Sequence, residues 1–235
     1  MPRNAETDNA HLQRLDRFDA ATIPRALPVA LTVVVITWGA FEVLATRLRD
    51  SAEDLDHQIV FLLRDPRDHE QMIGPLALKE VMRDFTALGG YAVLTVTIVA
   101  FAFFQRLQNG PSHCRFFLMT TIGGYLCSML MKKTVGRDRP AIVPHLSHVE
   151  TSSFPSTHSM MSAITWLTIG VMLSQHSDHP AIRRLLTLLP LLLAFSVGIS
   201  RVFMGVHFPT DVLAGWTAGL LWTWAAFAIW PRALR

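Results

Sequence analysis

Lys132-Lys133-Thr134-Val135-Gly136-Arg137-Asp138-Arg139-Pro140 closes a long apolar run, and two further polar pieces occupy similar positions. One is Phe154-Pro155-Ser156-Thr157-His158. The other is Ser200-Arg201, followed after an apolar gap by His207-Phe208-Pro209-Thr210-Asp211. A charge at the end of an apolar run is costly unless it has a partner or a task. Together the three pieces offer cations, two imidazoles, a carboxylate and a helix start, an inventory suited to a phosphate group.

Outward from these pieces the chain is strongly apolar: 51% of its 235 residues are hydrophobic and the mean hydropathy is +0.33. The distribution decides the class, because apolar runs of bilayer length recur between short charged segments. Spans are expected at Ala26–Ala45, Phe85–Phe104, Phe116–Met131, Ser156–Leu173, Leu185–Ile199 and Val212–Trp230. Gly123 and Gly124 would allow close helix contact in the third. Asn109-Gly110-Pro111 signals a turn before it. The reading is an all-α polytopic protein, six transmembrane helices in a bundle. Residues 1–22 form a polar, cytoplasmic N-terminal tail without a cleavable signal, and 23–235 form one membrane domain.

Between the first two spans lies the longest polar segment, residues 47–84. Within it Asp50–Arg64 sets Leu55, Ile59, Val60, Leu62 and Leu63 among acids and arginines. That amphipathic pattern is too short and too charged to span, so it is expected to lie flat on the membrane surface or the protein's own face. Pro66 should end it, and a short helix from Pro75 to Asp84 should lead into the second span. Glu42, near the far end of the first span, reads as an interfacial carboxylate.

Six spans put both termini on one side. Arg106, Arg115, Arg183 and Arg184 in the short connectors of that side favour cytoplasmic termini. The three polar pieces then share the outer face, so they can form one site. The net charge of +3 is unclustered, which gives nucleic-acid binding no support. Cys114 and Cys127 would stand roughly 20 Å apart along one helix at ~1.5 Å per residue, too far for a bridge. His145, His148, His176 and His179 match no standard metal-ligand spacing.

The chemistry follows from residue types. His207 and Asp211 are four residues apart, and Pro209 suits a first helical turn. Asp211 can then reach one ring nitrogen of His207, fix the tautomer, and leave the other nitrogen free to attack phosphorus. His158 sits where backbone amides point outward from a helix start, placed to protonate a leaving oxygen and then to activate water. Lys132, an arginine of the first piece and Arg201 would cradle the phosphoryl oxygens. Physics alone does not separate Arg137 from Arg139. Lys133 reads as a lysine reaching the interface.

Lys132, six residues and Arg139-Pro140, then Pro155-Ser156-x-His158, then Ser200-Arg201, five residues, His207, three residues and Asp211 resemble a known three-part signature. It is that of the type 2 phosphatidic acid phosphatases, a superfamily with vanadium haloperoxidases and glucose-6-phosphatase. The resemblance implies catalytic His207, His158 and Asp211. It implies phosphate binding by Lys132, Arg139, Ser156, Thr157 and Arg201, selecting Arg139 over Arg137. It also implies catalysis without metal or other cofactor. Substrates implied are lipid phosphates or diphosphates of the undecaprenyl diphosphate, phosphatidic acid, phosphatidylglycerol phosphate or lipid A type, in the inner membrane. Thr157 departs from the family's usual glycine; its hydroxyl is a possible donor to a phosphoryl oxygen. Two other readings stand beside this one: a non-catalytic lipid-phosphate carrier or flippase, and an intramembrane serine protease using Ser156 or Ser200 with His207.

Overall fold

The computed structural model describes residue 39 and residues 49–147 and 151–229. The expected tail, all but one residue of the first span with its Glu42, and His148 lie outside the described residues.

The first element is helix α1, Arg49–Leu62. Asp56, Ile59, Val60 and Leu63 share one face at helical spacing. Val60 is fully buried against Val143, Val202, Phe208 and Val212, with Ile59 and Leu63 packed beside it. Leu55 and Leu62 remain exposed. Of the two positions expected for this segment, its buried face lies against the protein itself.

One departure follows immediately. Strands β1 (Arg64–Asp65) and β2 (Asp68–Met72) form an antiparallel hairpin between the two expected helices, in a chain read as all-α. Pro66 denies the helix a backbone donor, and the acids around it close the turn. Asp65 accepts the Arg67 amide at 2.8 Å, and Asp68 accepts the Glu70 amide at 3.1 Å.

Helix α2 (Leu76–Ala87) begins after Pro75 as expected, and α3 runs Tyr91–Gln108. The expected second span, Phe85–Phe104, is therefore broken at residues 88–90. A Cβ on Gly89 would stand 2.4 Å from Val197 and 3.3 Å from the His158 carbonyl. The break thus lets backbone pass close to two other helices. Helix α4 spans Pro111–Val135 and ends on Gly136 in the left-handed conformation. Helix α5 is Thr157–Ser174, α6 is Pro180–Phe203 and α7 is Pro209–Ile229.

Helix α5 is the centre of the bundle, packed against α3, α4, α6 and α7 and buried along nearly its whole length. Three of its hydroxyls bond back to its own carbonyls, Ser162 to Ser159 at 3.1 Å, Thr168 to Ile164 at 2.6 Å and Ser174 to Val171 at 2.8 Å. Gly124 meets Ile164 of α5 and Trp222 of α7 so closely that a Cβ would lie 2.5 Å from the isoleucine. Gly123 likewise abuts Trp222. Helices α3, α4 and α6 are long and apolar enough to cross a membrane. They expose Val96, Phe103, Met119, Leu126, Leu188 and Leu192 outward. Such wide apolar faces suit lipid as solvent and would be an aggregation hazard in water. Because helices consecutive in sequence run antiparallel, the starts of α3, α5 and α7 and the ends of α4 and α6 gather at one end.

Candidate active site

That end holds the expected site residues Lys132, Arg139, Ser156, Thr157, His158, Arg201, His207 and Asp211. The start of α7 places Asp211, fully buried, beneath the loop that carries His207. His207 Nδ1 lies 3.5 Å from Asp211 Oδ2, within ion-pair reach but without a hydrogen bond's alignment. The same oxygen accepts the Phe208 amide at 2.9 Å and the Ser153 hydroxyl at 2.8 Å. Asp211 Oδ1 accepts Arg137 Nη1 at 2.9 Å. A buried carboxylate with this many donors is held ionised.

His207 is 1% exposed. Burial pushes its imidazole down to about 3, the nearby Asp211 offsetting this only in part. The ring is therefore neutral near pH 7. With Nδ1 turned toward the carboxylate, the proton is assigned to Nδ1 and the lone pair to Nε2. Nε2 sits 3.2 Å from Arg139 Nη1.

Arg139 is anchored by its Nε to the Thr151 carbonyl at 2.7 Å and by Nη1 to the Val206 carbonyl at 2.6 Å. Burial lowers its basicity somewhat, yet a guanidinium stays charged. Lys132 is 6% exposed. It turns inward, not to the interface, donating from Nζ to the Ser152 carbonyl at 2.5 Å. Lys133 is exposed, as expected. Arg201, at the end of α6, is 2% exposed; Nη1 donates to Thr86 at 2.8 Å while Nε has no hydrogen-bond partner. A buried cation with an unmade donor is arranged for an anion.

His158 stands in the first turn of α5, its ring edge-on to Tyr91 with centroids 6.1 Å apart. Lys132, Arg139, Arg201 and His207 all lie within electrostatic reach of it. The hydroxyls of Ser156 and Thr157 both have partners within the protein. Ser156 Oγ caps α5, accepting the Ser159 amide at 3.4 Å and the Ser159 hydroxyl at 2.8 Å. Thr157 Oγ1 accepts from Ser128 at 3.1 Å, so its hydroxyl faces α4. Thr157 has an ordinary negative φ. Ser200 donates to the Val197 carbonyl at 2.6 Å. Neither serine bonds His207, which leaves a serine nucleophile without its base. Two of the connector histidines bond locally, His145 to the Pro140 carbonyl and His176 to the Met172 carbonyl and Asn109.

Asp56 was not singled out in the sequence, and Arg137 was weighed there only as an alternative to Arg139. Arg137 is not a spare cation: its Nη2 donates to Asp56 Oδ2 at 2.8 Å and its Nη1 to Thr210 at 2.7 Å. Burial disfavours its charge, but Asp211 and Asp56 hold its basicity above the ordinary range. A signal for Asp56 was available, since an acid stood on the apolar face of α1. Nothing in the sequence points to Thr86 or Ser153, which touch the site only through the fold.

A helical membrane protein with buried cations and a carboxylate-oriented histidine at one end of its bundle is the class that fold and site define. Residues 112–235 match the PAP2 superfamily. Phosphatidylglycerophosphatase B of Bacillus subtilis (strain 168) is 32% identical over 204 residues, 83% of this chain and 90% of that protein. A lipid A 1-phosphatase of Rhizobium etli is 25% identical over 62% of this chain and 68% of that one. The crystal structure of a transmembrane PAP2-type phosphatidylglycerolphosphate phosphatase from Bacillus subtilis superposes with a TM-score of 0.70. It shares 29% identity and covers 83% of this chain and 94% of that chain. The chain belongs to the PAP2 superfamily.

Proposed function

We propose that the protein is an integral membrane phosphatase that hydrolyses a lipid phosphate or diphosphate through a phosphohistidine on His207. The observation that carries the reading is His207 itself: Nδ1 faces the Asp211 carboxylate and Nε2 faces Arg139. Nε2 attacks phosphorus as the bond to the leaving oxygen breaks, and His158 gives that oxygen a proton. His158 then takes a proton from water, whose oxygen attacks phosphorus and breaks the P–N bond, returning His207. Lys132, Arg139 and Arg201 hold the equatorial oxygens as charge spreads over them. Ser156 and Thr157 contribute by fixing the start of α5, whose amides face the anion.

The wider layout belongs to the same reading: six spans with residues 1–22 as a cytoplasmic tail and 23–235 as the phosphatase domain. Termini lie in the cytoplasm and the site faces outward at headgroup depth of the inner membrane. Undecaprenyl diphosphate is ranked first among substrates, ahead of phosphatidic acid, phosphatidylglycerol phosphate and a lipid A phosphate. No metal is required, because fixed cations already surround the phosphoryl group.

The test is phosphate release by purified protein from a panel of these lipids, with and without EDTA. Turnover should be indifferent to chelation. Vanadate, whose five-coordinate form resembles a transferring phosphoryl, should inhibit it. Acid-labile phosphate should appear on the wild type and not on His207→Ala, which should not turn over. Full activity of His207→Ala, or a divalent ion restoring activity after chelation, would refute the corresponding part of the mechanism. Tight binding without phosphate release would favour the carrier.

A further inference from the structure

Asp56 is 1% exposed on the packed face of α1, and both its oxygens are engaged at the edge of the site. Oδ1 accepts the Thr210 amide at 3.0 Å. Oδ2 accepts Arg137 Nη2 at 2.8 Å and, in a short bond, the Thr210 hydroxyl. Arg137 Nη1 passes on to Asp211 Oδ1 at 2.9 Å, and its guanidinium lies 4.2 Å over the Phe208 ring centroid. One guanidinium thus bridges two buried carboxylates, and the second of them faces His207 Nδ1. Just beyond α1, Arg64 Nη1 donates to the Phe203 carbonyl at 3.3 Å. The segment 49–65 therefore grips both ends of the loop that carries His207. The superfamily match begins at residue 112, so Asp56 and α1 lie outside it while Arg137, Thr210 and Asp211 lie within it.

We propose that Asp56 and Arg137 are positioning residues for the His207 nucleophile, acting through Asp211, and that α1 is thereby part of the catalytic unit. The inference rests on the phosphohistidine reading. Arg137 fixes the rotation of the Asp211 carboxylate by holding Oδ1, leaving Oδ2 toward the imidazole. A guanidinium fork has one orientation only when its other end is also fixed, which Asp56 does. Asp56 also offsets the charge of Arg137. Without it, a full positive charge would face the cationic phosphohistidine across a single carboxylate. The loss should therefore appear in the step that forms the intermediate, in kcat and not in KM.

The experiment compares kcat, KM and the rate of phosphohistidine formation in Asp56→Asn, Arg137→Gln, the double variant and an exposed-site control, Lys133→Ala. Removing one buried charge-assisted hydrogen bond should lower kcat about 10- to 100-fold, with KM near wild type and phosphohistidine forming more slowly. Because Asp56 acts through Arg137, the double variant should be no slower than Arg137→Gln alone. If Asp56→Asn does not fold, Thr210→Val decides in its place. It removes only the hydroxyl shared by Asp56 and Arg137, and a several-fold fall in kcat is expected. Wild-type kcat in folded Asp56→Asn or Thr210→Val, a loss carried by KM alone, or additive single effects would overturn the inference while leaving the phosphatase reading intact. Wild-type protein that releases no phosphate and labels no histidine would overturn both.

Discussion

Gly215→Ala tests whether the site depends on how closely α7 packs under the first turn of α5. A Cβ at residue 215 would lie 2.6 Å from the Ser156 carbonyl oxygen, 2.9 Å from Ser159 Cβ and 3.1 Å from the Met160 nitrogen. Two of these are backbone atoms, so no side-chain rotation relieves them. Ordinary contact begins near 3.4 Å, so the helices must part by about 0.8 Å at this point. Overpacking of this kind costs about 1–3 kcal/mol of stability. The same movement separates the segment bearing Ser156 and His158 from the one bearing Asp211, now tied by the Ser156 amide to the Asp211 carbonyl at 3.0 Å. A misplacement of about 1 Å between catalytic groups costs on the order of 10²-fold in rate, or ~2.7 kcal/mol in barrier. Folded Gly215→Ala should therefore lose ten- to a hundredfold in kcat and unfold at a lower temperature in detergent. Gly123→Ala is the contrast. Its Cβ would meet only the Trp222 ring, at 2.9 Å, and residue 123 lies nine residues before Lys132 on α4. It should lower the unfolding midpoint while kcat per folded molecule holds. A Gly215→Ala protein with wild-type kcat and midpoint would show that the close approach of α7 to α5 does not set the site.

Thr157→Gly should stay within about tenfold of wild-type kcat, ~1.4 kcal/mol in barrier, because the hydroxyl is paired with Ser128 of α4. It should destabilise the protein by about 1–3 kcal/mol, since the buried Ser128 hydroxyl loses its acceptor; thermal unfolding beside phosphate release separates the two effects. The buried, neutral His207 makes stability pH-dependent. Its folded value of about 3 lies below the usual 6.5, so between these limits the unfolded chain binds the extra proton. Stability should then rise with pH across that window and fall as pH drops from 6.5 toward 3. His207→Gln should flatten this dependence of the unfolding midpoint, and equal slopes in the two proteins would refute the assignment.

Much of this was open to the sequence for a physical reason. Bilayer-length apolar runs leave few structural choices, so helices α4 to α7 overlie the third to sixth expected runs, while α3 keeps only the later part of the second. Charges and imidazoles at the ends of those runs are few, and His207, Asp211, His158, Lys132, Arg139 and Arg201 do converge at one end of the bundle. Tertiary structure decided what periodicity does not encode. The break at residues 88–90 exists because Gly89 must pass Val197 and the His158 carbonyl, a constraint set by distant helices. Which arginine of the first motif faces His207 was equally beyond physical argument from the sequence. Arg137 and Arg139 are two residues apart with the same chemistry, and only the buried carboxylates of Asp56 and Asp211 claim one of them. Thr157 and Ser156 point into the fold because α4 and the first turn of α5 supply their partners. Local pattern sets which groups are costly to bury; long-range packing sets which partner makes each burial tolerable.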